Sequence, residues 1–267
     1  MSVQNIVKIT ESEINTKLMK LESTSRSQSR DKVCFKSQVS GSFQETEKVA
    51  LLATNEYEGI FRNGGIGTYY RKLSERLNDA GWYVIVLCCF VEESFGGTST
   101  LPTVKHIFST AETEQVLQLQ PLHQATLSAV QDNVVDYHSF RCQLFTQAIV
   151  DFFKNSAIYV EFHEMIGIGY HTIQAKRLNL LPSNCVVGVT LHSGHEWIYE
   201  ANEKYTHDYL DWLWQVCYYE QYCFENADLA FFPSYYLKGR VESYGWNTNC
   251  ATHLPNYIPI IQPYPFK

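Results

Sequence analysis

VALLATNEYEGIFRNGGIGTYYRKLSERLNDAGWYVIVLCCF, residues 49–90, decides how the rest of the chain is read. It opens on a short continuous apolar run, VALLAT (49–54), the mark of a strand buried on both faces. Three glycines in four positions follow at Gly64, Gly65 and Gly67. Tyr70, Leu73, Leu77 and Ala80 then recur at helical steps along one face. Gly81 supplies the stop, and WYVIVLCCF (82–90) reads as a second buried strand. Strand, glycine loop, helix, glycine and strand make a βαβ unit. Glycines packed this closely mean that something approaches the backbone: a nucleotide, a sugar phosphate or another part of the chain.

The alternation continues outward. VKHIFST (104–110) reads as a strand and VVDYHSFRCQLFTQAIVDFFKN (134–155) as a helix, with Phe140, Leu144, Phe145, Ala148, Ile149 and Phe152 on one side. Strands are expected at 157–162, 184–192 and 228–233, and helices at 166–178, 207–227 and 234–245. Ser234 caps the last helix at its start and Gly245 at its end. Such alternation predicts an α/β fold, a Rossmann-like parallel sheet with helices on both faces. Trp212, Trp214, Tyr218, Tyr219 and Tyr222 crowd the helix at 207–227, which reads first as a core helix and second as an exposed apolar surface. Residues 1–46 are polar and rich in Ser, Gln, Thr and charge, and are expected to form a flexible leader.

The 267 residues are 45% hydrophobic and 18% charged, an ordinary globular balance. A net charge of -7 argues against a nucleic-acid partner gripped by a basic face. No run approaches eighteen apolar residues, so no transmembrane segment is expected. The eight cysteines show no C-x-x-C spacing, and reduced thiols in a cytoplasmic protein are the simplest reading.

Ligands of an open parallel sheet collect at the carboxyl ends of its strands. The polar residues expected there are the 55–67 loop, Glu161 to Glu164, His192 to Glu196, and Ser234. The glycine loop is no P-loop, because no Gly-Lys-Ser/Thr follows. It fits a dinucleotide fingerprint poorly, since Tyr70 stands where a third small residue belongs, and Glu92 is only loosely placed for a ribose. His163-Glu164 begins like H-E-x-x-H, but Gly167 takes the place of the second His, so no metal site is expected. His192 ends a buried strand at the ligand edge, where it can bond a hydroxyl or stabilise charge.

Residues 51–89 resemble the opening of family 4 glycosyltransferases, the glycogen-synthase-like GT-B enzymes, with their GGIGT-type loop and AGHEV-type second strand. The likeness continues through VVGVTLHS (186–193), YYEQYCFENADLAFFPSYYLKGRVESYGW (218–246) and LPNYIPI (254–260), in the family's order. Tyr257 departs from it by standing where Gly is usual. The resemblance implies one half of a GT-B fold: an acceptor-side domain at 47–260 and the start of an interdomain hinge at 261–267. It implies that the backbone of Gly64, Gly65, Ile66 and Gly67 contacts a donor diphosphate and that His192 acts beside the donor sugar. Asn63, His163 and Glu164 are the acceptor-side candidates. The implied partners are a nucleotide-sugar, which is a co-substrate and no cofactor, and a sugar or glycan acceptor. Transfer in the family retains configuration and needs no metal.

The family's donor-binding domain begins after the hinge. Half an enzyme is therefore expected, without turnover of its own: a truncated product, or one subunit of a split transferase completed by a separate C-terminal-half subunit. A glycan- or protein-binding module on the same fold is the alternative, and an NAD(P)-dependent oxidoreductase the third reading.

Overall fold

Seven strands, six of them carrying Val, Ile, Leu or Phe, pair into one parallel sheet in the computed structural model, which describes residues 32–62, 64–203 and 210–256. The strands are β1 (Lys48–Thr54), β2 (Tyr83–Cys88), β3 (His106–Ser109), β4 (Ala157–His163), β5 (Cys185–Thr190), β6 (Leu229–Phe232) and β7 (Ala251–His253). Their spatial order is β3-β2-β1-β4-β5-β6-β7, and every neighbouring pair is parallel. The order reverses at β1, which lies between β2 and β4. That reversal opens a crevice at the carboxyl ends of β1 and β4, the usual ligand position in doubly wound folds.

The helices of seven residues or more are α1 (Gly65–Asp79), α2 (Pro121–Val130), α3 (Val134–Phe152), α4 (Tyr170–Arg177), α5 (His195–Ala201), α6 (Leu210–Asn226) and α7 (Tyr235–Ser243). Alternate strand residues sort to the two faces of the sheet. Leu51, Ile85, Val160 and Val187 pack with Leu144, Phe145 and Ile149 of α3 on one side. Leu52, Val84, Tyr159 and Val186 pack with Ile66, Tyr70 and Leu77 of α1 on the other. Each such side chain contributes about 1.5–3 kcal/mol on burial. The fold is therefore the Rossmann-like sheet with helices on both faces that the alternation predicts.

Details differ from the sequence expectation. The helix expected over 166–178 splits into a short 3-10 turn, Met165–Gly167, and α4. Ile166 and Gly167 both adopt φ of 64°, which a continuous helix cannot contain. The strand expected over 82–90 ends at Cys88, and Phe90 turns the chain with φ 57°. Phe152, placed with the inward residues of α3, is exposed. So are Trp212, Trp214 and Tyr218, which makes α6 partly an outward aromatic surface and not a fully buried helix. The short strand β7, helix α2 and a small antiparallel pairing of Cys34–Phe35 with Leu117–Gln118 had no signal. Of the leader expected over 1–46, only residues from 32 are described, and Val33 and Phe35 lie in the core. Residues 1–31, Asn63, 207–209 of the expected long helix, and the hinge from 257 lie outside the described residues.

One glycine of the sheet is fixed by close approach. A Cβ on Gly188 of β5 would lie 2.5 Å from the phenol oxygen of the fully buried Tyr159. That phenol donates to the Glu161 carboxylate and cannot swing away without breaking the bond. Gly188→Ala is expected to cost about 2–3 kcal/mol by overpacking. Thermal unfolding followed by circular dichroism should show a Tm lower by about 5–10 °C.

Candidate functional site

The carboxyl ends of β1, β4 and β5 bring His163, Glu164 and His192 to one edge. The β1 and β4 ends are joined directly, because the Asn55 N–H donates to His163 Nε2 at 3.2 Å. His163 is fully buried, and burial, followed by the proximity of His192 and His195, holds its pKa well below the ordinary histidine value. The neutral imidazole links two loops through Nε2, and its buried Nδ1 has no hydrogen-bond partner among the described residues.

Glu164 works on the backbone. Its carboxylate accepts the N–H of His192 at 2.8 Å and of Ser193 at 2.6 Å. Burial, with the charge of Glu220 second, raises its pKa to about 7. Glu164 thereby seats the turn that carries His192. The imidazole of His192 meets the edge of Tyr69 at 4.9 Å and stands 6.5 Å from His163 between ring centres. Burial lowers its pKa to about 4, so it is neutral at physiological pH. Its Nε2 is shielded from solvent and has no hydrogen-bond partner among the described residues.

A second carboxylate, Glu220, closes the edge from α6. Fully buried, it accepts the Ile166 N–H at 2.8 Å, the His195 N–H at 2.7 Å and the His195 ring Nδ1. Burial alone would lower the His195 pKa, but the hydrogen bond and charge of Glu220 outweigh it and raise the value. The N–H that Glu220 takes from Ile166 belongs to a β-branched residue at positive φ, a conformation that persists only where surroundings enforce it. Arg62 and Phe90 are strained in the same sense, and with Ile166 they occupy the loops after β1, β2 and β4.

Beneath His192 lies a third buried carboxylate, Glu161. It accepts from Tyr69 at 2.7 Å, from Thr190 at 2.8 Å and from Tyr159. Burial raises its pKa, and the three hydroxyls oppose that shift. Glu161 thus belongs to the strand β4 and not to the loop, and it fixes Tyr69 against the His192 ring.

The glycine loop shows what approaches it within the chain. The Gly67 N–H donates to Glu56 Oε2 at 3.3 Å, and a Cβ on Gly64 would lie 2.5 Å from that same oxygen. A Cβ on Gly67 would lie 3.1 and 3.2 Å from the backbone nitrogens of Glu58 and Tyr57. Gly65 has nothing within 4 Å of its Cβ direction, and the Ile66 side chain is buried in the core, so that residue offers only backbone to the cradle. Ser234 caps α7 by accepting the Leu237 N–H at 3.2 Å, the capping role expected of it. Among the described residues no three His, Cys, Asp or Glu side chains gather as a metal site. No helix among them is long and apolar enough to cross a membrane.

Sequence reasoning missed Glu56, Tyr69 and Glu220. For Glu220 a signal existed: Val216, Glu220, Cys223 and Phe224 form one buried stripe at helical spacing. An acid in an apolar stripe has to be paired with buried donors.

A solved structure similar to this chain is the sucrose-phosphate synthase of Thermosynechococcus elongatus, at a TM-score of 0.54 and 14% identity. The match covers 78% of this chain and 48% of that one, so the chain spans about half the length of the structure it resembles. No protein-family model and no curated protein sequence matches it. The likeness defines the class of fold: a glycosyltransferase-like α/β domain.

Proposed function

We propose that the chain is the acceptor-side half of a family 4 GT-B glycosyltransferase, acting with a donor-binding half to move a hexose from a nucleotide-sugar to a sugar or glycan. The unpaired, desolvated Nε2 of His192, held at the carboxyl edge by Glu164, is the observation that carries this reading. A neutral imidazole there bonds a donor-sugar hydroxyl and adds no charge of its own. The backbone of Gly64 to Gly67, at the positive end of α1, faces the departing diphosphate. Catalysis is then electrostatic, by fixed dipoles aimed at charge that develops as the glycosidic bond breaks. His163 and Glu164 serve the acceptor side indirectly, by fixing loops.

Saturation-transfer NMR of the purified chain with UDP-glucose, ADP-glucose and maltose is expected to show sugar-proton contacts without turnover. Robust transfer by the chain alone would overturn the half-enzyme reading, and silence toward all three ligands would overturn the transferase reading. A binding module on the same fold is the second reading, favoured by the exposed Trp214 and Tyr218 of α6, 68% and 54% accessible. Maltose contacts abolished by Trp214→Ala but untouched by His192→Ala would select it.

A further inference from the structure

We infer that Glu56 is a gate on the glycine cradle, a carboxylate of the chain's own that a phosphate-bearing ligand has to displace. The inference rests on the donor-side reading above and adds a residue that controls it. The cradle lies at the start of a fifteen-residue helix, whose first N–H groups form the positive end of the helix dipole. An anion belongs there, and the structure supplies one. Glu56 Oε2 takes the Gly67 N–H and lies 2.5 Å from where a Cβ on Gly64 would be, so the carboxylate sits against the cradle.

The backbone of Glu56 is fixed. Thr54 Oγ1 accepts its N–H at 3.2 Å and donates to its carbonyl at 2.7 Å. Its side chain is half-buried, so it can leave by rotation about its own bonds while the loop stays in place. The ligand's approach is also defined. Backbone of Tyr57 and Glu58 closes the Gly67 side, whereas the Gly65 side is open. Of the cations nearby, Arg71 is paired with Glu58 at 3.2 Å and with Glu75 at 3.3 Å, and is not available to neutralise Glu56. A diphosphate and the Glu56 carboxylate compete for the Gly67 N–H and repel each other. The gate therefore lowers affinity for a nucleotide until Glu56 swings out.

The test is a titration of the full, 15N-labelled chain at pH 7 with UDP and, separately, with inorganic pyrophosphate. Wild type is compared with Glu56→Gln and Glu56→Ala, and folding is checked by circular dichroism. Removing the charge is expected to tighten UDP binding about tenfold in both variants, with the Gly65 and Gly67 amides moving most. UDP binding of equal or lower affinity in the variants overturns the gate and leaves the donor reading standing. Tighter pyrophosphate binding at those amides without UDP binding keeps the gate and overturns the nucleotide-sugar reading. Variants whose cradle amides respond to neither probe overturn the gate.

Discussion

Glu220→Ala is expected to lower stability by about 3–5 kcal/mol, because it strands buried donors that have no alternative partner. The side chain takes two backbone N–H groups and a ring nitrogen, from Ile166 and His195, in a place without solvent access. Losing it also releases Ile166 from a positive-φ conformation that it does not adopt freely. Some relief comes from removing a negative charge close to Glu164, whose pKa Glu220 helps to raise. That relief is the smaller effect, since Glu164 keeps its own two N–H bonds. Thermal unfolding should show a fall in Tm of about 10 °C. Glu220→Gln keeps an oxygen acceptor and should lose less, yet it removes the charge that raises the His195 pKa. NMR titration of the His195 ring should then show a lower pKa than in the wild type. A change in Tm under about 2 °C for the Ala variant would mean that the three bonds carry little.

Gly167→Ala should be nearly as damaging, and for a different reason. A Cβ there would fall 2.3 Å from Tyr219 Cβ, with the Tyr219 backbone carbons at 3.2 and 3.3 Å. The obstacle is thus the body of α6 and not the tip of a flexible side chain. The residue also holds φ at 64°, strained for alanine. Overpacking and the backbone penalty together come to about 3 kcal/mol or more. The helix that has to retreat carries Glu220 at the next position, so the two effects are coupled and a double variant should lose less than the sum. Gly65→Ala is the internal control. With open space around it and a helical position, it is expected to change stability by less than about 1 kcal/mol, measured by urea unfolding.

The fold was legible because burial on both faces writes an unbroken apolar run. VALLAT, YVIVLC and CVVGVT each became a strand within a residue or two of the expected bounds. Strand β7 was not legible, since Ala251, Thr252 and His253 are half-buried and make no run; only pairing with β6 defines them. The split before α4 was hidden for a similar reason. Gly167 could have been an ordinary helical glycine, and the contact that bends the chain comes from Tyr219, far along the sequence. At the site, the position of His192 followed from strand logic. What surrounds it did not, because a carboxylate that clamps backbone N–H groups has no spacing rule to give it away. Glu164 stood out next to His163 as an acceptor-side candidate, but its hold on the His192 turn could not be read; Glu56 lay within the quoted loop and drew no notice.

The bonds of Glu164 and Glu220 also predict an order of assembly. Glu164 reaches forward to residues 192 and 193, and Glu220 reaches back to 166 and 195. The central strands can pair as soon as β5 has emerged, but the turn at 164–167 and the start of α5 stay unclamped until α6 arrives. The scaffold is thus built before the site. A nascent chain that ends short of residue 220 should already hold protected strands while its prospective ligand edge still exchanges freely with water.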